Sequence, residues 1–243
     1  MIPIFITTWH RPEFLEKCLR DLREFTHEPH SITVWDNGSE PSEVESILKN
    51  KNLFDNLILW KENSGCFFPK LCYHIMVPEQ SEFYVVNDAD VFPPNLGDNC
   101  WLKQLIAEMN LHKDIGILAA QLPPQIFQGP VLVRGNHTIC TAVGNTLKVI
   151  RRQAVPLDFL VHQKLGQYGD DDSISKAVQK NGYHVAFHQN VWCLHAGQTH
   201  NWGYKAEQIS GDPRKAGLGP PYEYEYDPRT YEPLAENLKK WNH

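Results

Sequence analysis

No stretch of the chain approaches the roughly 18 consecutive apolar residues that a membrane-spanning helix needs. The amino terminus, Met-Ile-Pro-Ile-Phe-Ile, carries no basic segment, apolar core and small-residue cleavage site, so export by a signal peptide is not expected. There is no Cys-x-x-Cys pair. The six cysteines, Cys18, Cys66, Cys72, Cys100, Cys140 and Cys193, are scattered, several of them within apolar runs. They read as reduced thiols, not as a disulfide frame or a thiolate zinc site. Positive charge is not in excess: 23 Lys and Arg stand against 29 Asp and Glu, a net charge of −6. That excludes a surface built mainly to hold nucleic acid or anionic membrane. The turn after the first apolar run, Thr7-Thr8-Trp9-His10-Arg11-Pro12, has no glycine. The Gly-x-Gly-x-x-Gly cradle of dinucleotide-binding folds is therefore missing, and so is a Walker A loop. These absences leave a chain that stays in the cytoplasm as the expectation.

What is present is an ordinary globular composition, 42% hydrophobic and 21% charged over 243 residues, enough for one large α/β domain. Ile2 to Thr8 reads as a strand. Apolar residues at Phe14, Leu15, Cys18, Leu19, Leu22 and Phe25 give an amphipathic helix started by Pro12. Ser31 to Trp35 and Leu57 to Trp60 are further strands, ended by Asp36-Asn37-Gly38-Ser39 and by Glu62-Asn63-Ser64-Gly65. Between them Ser42 to Asn50 reads as a helix with Ser42 and Glu45 spaced for a capping box. Phe68 to Val77 is a third helix.

In the stretch FYVVNDADVFPP, Phe83, Tyr84, Val85 and Val86 read as a strand with no polar alternation, which suits burial on both faces; it runs into Asn87-Asp88-Ala89-Asp90, and Pro93 and Pro94 stop it. The alternation over the first 90 residues predicts a mainly parallel sheet with helices on both sides. Ligands of such sheets collect beyond the carboxyl ends of the strands. Asp88 and Asp90 stand there, one residue apart, and share a face if the strand continues. A divalent cation would relieve their repulsion.

The second half is less regular. Trp101 to His112 reads as a helix and Ile115 to Ala120 as a strand, with Leu122 to Asn136 as a loop. Thr138 to Arg151 reads as a strand pair turning at Gly144-Asn145. Asp158 to Leu165 and Ser173 to Asn181 read as helices, the second preceded by Asp170-Asp171-Asp172. Tyr183 to His188 and Val191 to Leu194 are short strands. Beyond Gly197 the chain is rich in Gly, Pro and Tyr, and Leu234 to Trp241 closes it as a helical turn.

Five stretches in order carry a resemblance: the Thr7–Pro12 turn, Asp36-Asn37-Gly38-Ser39, Asn87-Asp88-Ala89-Asp90, Gly169-Asp170-Asp171-Asp172 and His195-Ala196-Gly197. Their order and spacing over about residues 2 to 197 resemble the GT-A glycosyltransferases, most of all the large glycosyltransferase family 2. No one of these motifs is specific, whereas the ordered set is. The resemblance implies an α/β, single GT-A-like domain with a mostly parallel central sheet flanked by helices. Residues 1–95 would be the nucleotide-sugar half, 96–200 the acceptor half and 201–243 a loop-rich tail.

It further implies that Asp36 reads a pyrimidine base, with Thr7, Thr8, Arg11 and Lys70 around the nucleotide, although Lys70 alone would pass for a solvated helix lysine. Asp90 and His195 would hold Mn2+ or Mg2+, and Asp88 would touch the ribose or the metal. His200 is a weaker competitor for His195. Val149-Ile150-Arg151-Arg152 would match the family's Arg-Arg segment. In members that invert configuration the acidic turn supplies the base, which matches Asp171, with Asp170 orienting the acceptor where the family usually has Glu. The reaction implied moves a sugar from a nucleoside-diphosphate sugar, UDP- or dTDP-linked, to a hydroxyl on a glycan, or on a protein or nucleic acid. Two other readings remain at this point: a sugar nucleotidyltransferase, and a metal-dependent sugar- or nucleotide-binding module without turnover.

Overall fold

Strand β1 (Ile2–Thr8) shows why its sequence lacks polar alternation. Ile4 and Ile6 pack on one side against Phe14, Leu15, Cys18, Leu19 and Leu22 of helix α1 (Pro12–Phe25), while Phe5 stacks on Tyr73 on the other. A strand covered on both faces has no solvent side to place polar residues on. The computed structural model describes residues 1–64, 67–122, 131–144, 146–156 and 170–196, with backbone alone for 67, 68, 71 and 170–172. β1 pairs in parallel with β2 (His30–Asn37) and β4 (Phe83–Asp88), and β2 in parallel with β3 (Asn56–Trp60). Helices α2 (Pro41–Lys49) and α3 (Phe67–Met76) connect these strands. α2 starts earlier than the Ser42 cap expected. Glu40 is the N-cap in a reciprocal box with Glu43. Pro41, already set to a helical φ, takes the first helical position and puts Ser42 inside the first turn.

The second half adds β6 (Ile115–Gln121), β7 (Leu132–Arg134), β8 (His137–Cys140), β9 (Lys148–Arg151) and β10 (His184–Trp192), with helices α4 (Trp101–Leu111) and α5 (Asp170–Lys180). The large sheet runs β3-β2-β1-β4-β9-β6-β10-β8-β7. Parallel pairing holds through the first four strands and between β6 and β10. β9 lies antiparallel between β4 and β6, and β8 and β7 extend the far edge antiparallel. The α/β expectation stands, with parallel character confined mainly to the first half.

The hairpin expected at Gly144-Asn145 does not form: β6 and β10 separate β9 from β8. All four residues of β9 are buried, so it needs a neighbour on each side and a cover on each face, which a simple hairpin does not supply. β7 occupies part of the expected loop. The two short strands expected after Tyr183 are one, β10, with a register irregularity between Phe187 and Trp192. The acidic triplet forms the first turn of α5, where a helix beginning at Ser173 was expected. The expected helix at Asp158 to Leu165 and everything after Ala196 lie outside the described residues. Among the described residues no helix is long and apolar enough to cross a membrane. Five of the six cysteines are buried free thiols; Cys66 lies outside the described residues.

Arg151, in the segment matched to the family's Arg-Arg pair, has a structural place. It sits opposite Phe83, the first residue of β4, at the end of the sheet away from Asp88. It is buried, donates to the carbonyls of Ile115 (3.2 Å) and Met109 (2.6 Å), and pairs with Glu82. It therefore caps the end of α4 instead of facing a ligand. Arg151→Met removes the donor to two buried carbonyls and the partner of Glu82, and a loss of roughly 2–4 kcal/mol of stability is expected. Urea unfolding checks this, with an unchanged m-value confirming a native-state effect.

Candidate functional site

The site is built where β1, β2 and β4 end together. In register, Thr8 lies beside Asp36, and Thr7 beside Asp88. Asp36 is buried. Its Oδ2 accepts the Ser39 N–H at 3.1 Å, which is the Asx-turn use of an aspartate. Its Oδ1 has no hydrogen-bond partner among the described residues, and neither has the buried Oγ1 of Thr8. Orphaned buried polar atoms cost about 1–3 kcal/mol each. Two of them, side by side at a strand end, form a donor and acceptor set that the edge of a base can satisfy.

The walls of this pocket are locked. Asn37 bonds Asn63 Oδ1 at 2.9 Å and accepts from the Ser64 N–H at 3.1 Å and its hydroxyl at 2.7 Å, tying β2 to the end of β3. Gly38 has φ +87°, and a Cβ there would stand 2.6 Å from the backbone of Glu62, so no other residue fits. His10 Nδ1 lies 2.6 Å from Glu43, and the His10 N–H donates to Ser39 Oγ at 3.0 Å, fastening the first turn to α2.

The Asp-x-Asp pair is arranged differently from the expectation. The strand ends at Asp88 and the chain turns, with the Ala89 N–H donating to Thr7 O at 3.0 Å. The two carboxylates consequently have different partners. Asp88 lies 3.8 Å from Lys70 Nζ. Asp90, 4% exposed, is in an ion pair with Arg11 and lies 3.4 Å from His195 Nε2.

A two-stranded ribbon makes the second contact. β5 (Val91–Phe92) pairs with β11 (Leu194–His195), Val91 opposite His195, and the Ala196 N–H donates to Asp90 O at 2.8 Å. Asn87 braces the turn from below, bonding Val91 O at 2.9 Å and accepting from the Leu147 N–H at 3.0 Å. Asn87 was not singled out from the sequence; its signal is a polar residue embedded in an otherwise apolar buried strand.

The electrostatics follow from this packing. Burial pushes the Asp90 carboxyl upward, but the charge and hydrogen bond of His195, and then Arg11, outweigh it and hold the group at about 2. Burial lowers His195, and Asp90 overcomes that, leaving it above the ordinary imidazole value. The buried carboxylate thus demands a cation, which the Arg11 guanidinium supplies. An oxygen and an imidazole nitrogen 3.4 Å apart also suit Mn2+ or Mg2+, provided that Arg11 turns away from Asp90.

Arg11 therefore stands with Asp90, where the sequence suggested the nucleotide pocket alone. Thr7 Oγ1 lies 2.8 Å from the hydroxyl of Tyr73, a neighbour that the sequence did not indicate. Lys70 is 3% exposed, which rules out the solvated-lysine alternative: its ammonium is buried and aimed at the strand end. Asp170 and Asp171 open α5, which packs through Ile174 and Ala177 on the sheet face that also holds Tyr73 and Tyr84. The side chains of Asp170 and Asp171, and all of His200, lie outside the described residues.

No protein-family model and no curated protein sequence matches the chain. Solved structures do. A mannosyltransferase from Pyrobaculum calidifontis, in complex with GDP-Man and Mn2+, superimposes with a TM-score of 0.59 at 16% identity, over 84% of this chain and 58% of its own. GalNAc-T7 with UDP, GalNAc and Mn2+ gives 0.57 at 12% identity, over 80% of this chain and 44% of that one. TarS of S. aureus gives 0.54 at 15% identity, over 79% and 36%. The chain thus spans between about a third and three fifths of these neighbours' lengths. These likenesses establish the fold: it is the GT-A fold of glycosyltransferases.

Proposed function

We propose that this chain is an inverting glycosyltransferase that uses a nucleoside-diphosphate sugar and a divalent metal. The observation that carries the reading is the meeting of Asp90, His195 and Arg11 at one strand end, next to the orphaned pair Asp36 and Thr8, on a GT-A fold. The neighbours solved with GDP-Man and Mn2+, and with UDP, GalNAc and Mn2+, support a nucleotide-sugar donor and a metal.

Asp36 Oδ1 would accept from the ring N–H of uracil or thymine, which favours a UDP- or dTDP-linked sugar. Thr8 would meet a neighbouring base carbonyl. Asp90 and His195 would hold the metal, which supplies Lewis-acid stabilisation to the departing diphosphate. Lys70, held beside Asp88, and Arg11, freed from Asp90, would face the same phosphates as fixed cations. Asp88 would sit at the ribose. Asp171 would take the proton from the acceptor hydroxyl as that oxygen attacks C1 of the sugar. The bond from C1 to the diphosphate oxygen then breaks on the opposite side, which inverts the centre. Asp170 would orient the acceptor, a glycan in the first instance.

The test is a thermal-shift panel of UDP, dTDP, GDP and ADP sugars, with and without Mn2+. A pyrimidine-linked donor with Mn2+ is expected to raise Tm, by an amount equivalent to about 2.7 kcal/mol at 100 times Kd. Asp36→Ala should remove the preference. Equal shifts for all four nucleotides would overturn the base assignment. A shift without release of nucleoside diphosphate in the presence of acceptor glycans would favour a binding module.

A further inference from the structure

A second cluster of metal-ligating side chains lies away from Asp90, between α4 and the β7–β8 edge. Glu108 and His112 are four residues apart near the end of α4, a spacing that puts both on one helix face. His137, the first residue of β8, meets them with its side chain fully buried. Glu108 Oε1 lies 2.7 Å from His137 Nδ1 and 3.4 Å from His112 Nε2, and the three ligand atoms all fall within 4.8 Å of one another. A tetrahedral ion with bonds of about 2.0–2.1 Å separates its ligand atoms by about 3.3–3.4 Å. One edge of that figure is already in place, the Glu108–His137 edge has to open by about 0.6 Å, and the His112–His137 edge, bounded at 4.8 Å, has to close by up to about 1.4 Å.

His137 would bind through Nδ1, the nitrogen that meets Glu108; Nε2, the other ring nitrogen, is buried with no hydrogen-bond partner among the described residues and takes no part in the shell. A further observation points to a ligand. Gly135, in the turn between β7 and β8, has φ +60°, and a Cβ there would stand 3.2 Å from Glu108 Oε1 and 3.4 Å from His112 Nε2. The missing side chain leaves space against two of the three ligand atoms, where a water can complete a four-coordinate shell. The Asn136 N–H donates to Glu108 Oε1 at 3.2 Å and steadies the carboxylate from outside.

We infer that Glu108, His112 and His137 form a zinc site that clamps α4 to the β7–β8 hairpin, separate from the metal proposed at Asp90. Two imidazoles and one carboxylate select zinc over magnesium or calcium, which take oxygen ligands. Arg134 competes with the ion. Its guanidinium, held by Asp114 at 2.8 Å, donates to His112 Nδ1 at 3.2 Å. A guanidinium only donates, so His112 carries its proton on Nε2, the nitrogen that zinc needs bare. Loading therefore moves that proton to Nδ1 and turns Arg134, about one third exposed, out toward solvent.

Metal-stripped full chain titrated with Co2+ should show one equivalent with the visible absorption of a tetrahedral ion, displaced by Zn2+. His112→Ala, at a partly exposed helix end and checked for folding by circular dichroism, should weaken this binding on the order of 10–100-fold. Asp90→Asn should leave it unchanged, which separates this site from the proposed catalytic metal. Arg134→Ala should tighten it several-fold. The site is refuted if His112→Ala binds Co2+ as the unaltered chain does, or if Asp90→Asn abolishes the tetrahedral signal. An unchanged affinity in Arg134→Ala refutes the competition.

Discussion

Asp90→Asn is expected to lower the proposed glycosyl transfer by at least roughly 10²–10³-fold, the scale on which a single preorganised electrostatic contact to a transition state acts. The substitution keeps the shape of the side chain and removes its charge. In the present packing that charge meets Arg11 and His195. Without it, two basic groups share a buried space with no counter-charge, and removing one partner from such a cluster typically costs 3–5 kcal/mol. The cost is lowered here because His195 can release its proton.

Two measurements separate the effects. Urea unfolding reports the loss of stability. The Mn2+-dependence of the donor's thermal shift reports the loss of the metal site, and it should vanish in the variant at temperatures where the fold is intact. Wild-type turnover with Mn2+ in Asp90→Asn would sink the assignment of this carboxylate.

Asp171→Asn should reduce kcat by about 10²–10⁴-fold while the donor still binds, because a general base acts only as the acceptor proton moves. Its structural cost is small and bounded. Asp171 lies in the first turn of α5, where a negative charge stabilises the helix by roughly 0.3–1 kcal/mol. A base and a helix cap therefore predict different results. A cap loses up to about 1 kcal/mol of stability and little activity; a base loses activity with the donor's thermal shift intact. Asp172→Asn is the control, with the same effect on the helix and near-normal turnover. If Asp172→Asn is inactive and Asp171→Asn is not, the base is misassigned.

Much of the candidate site was legible as a set of strand ends, because strand ends are written in local sequence. The run Phe83 to Val86 stops at an acidic turn, and Ser31 to Trp35 stops at Asp36-Asn37-Gly38. The dual use of Asp36 was half legible. Its Asx turn is local and readable, while the free Oδ1 beside Thr8 depends on the register of β1 against β2. The choice between a buried and a solvated Lys70 was not legible, because burial is a property of what packs over α3. The place of Arg151 was illegible for the same reason: an Arg-Arg pair in sequence does not say which end of the sheet each residue faces.

The sequence by itself determined the alternation of strands and helices in the first half, the ends of most of those elements, and the acidic turns at them. Each follows from spacing within about a dozen residues, from backbone limits at Pro and Gly, and from the periods of helix and strand. Only the tertiary structure decided which groups meet. The β5–β11 ribbon brings His195 against Asp90 across a hundred residues of chain, β9 inserts between β4 and β6, and β8 carries His137 to Glu108 and His112. Those pairings are made between segments remote in sequence. Their energy comes from burying both faces of the sheet at once, and no local window contains it.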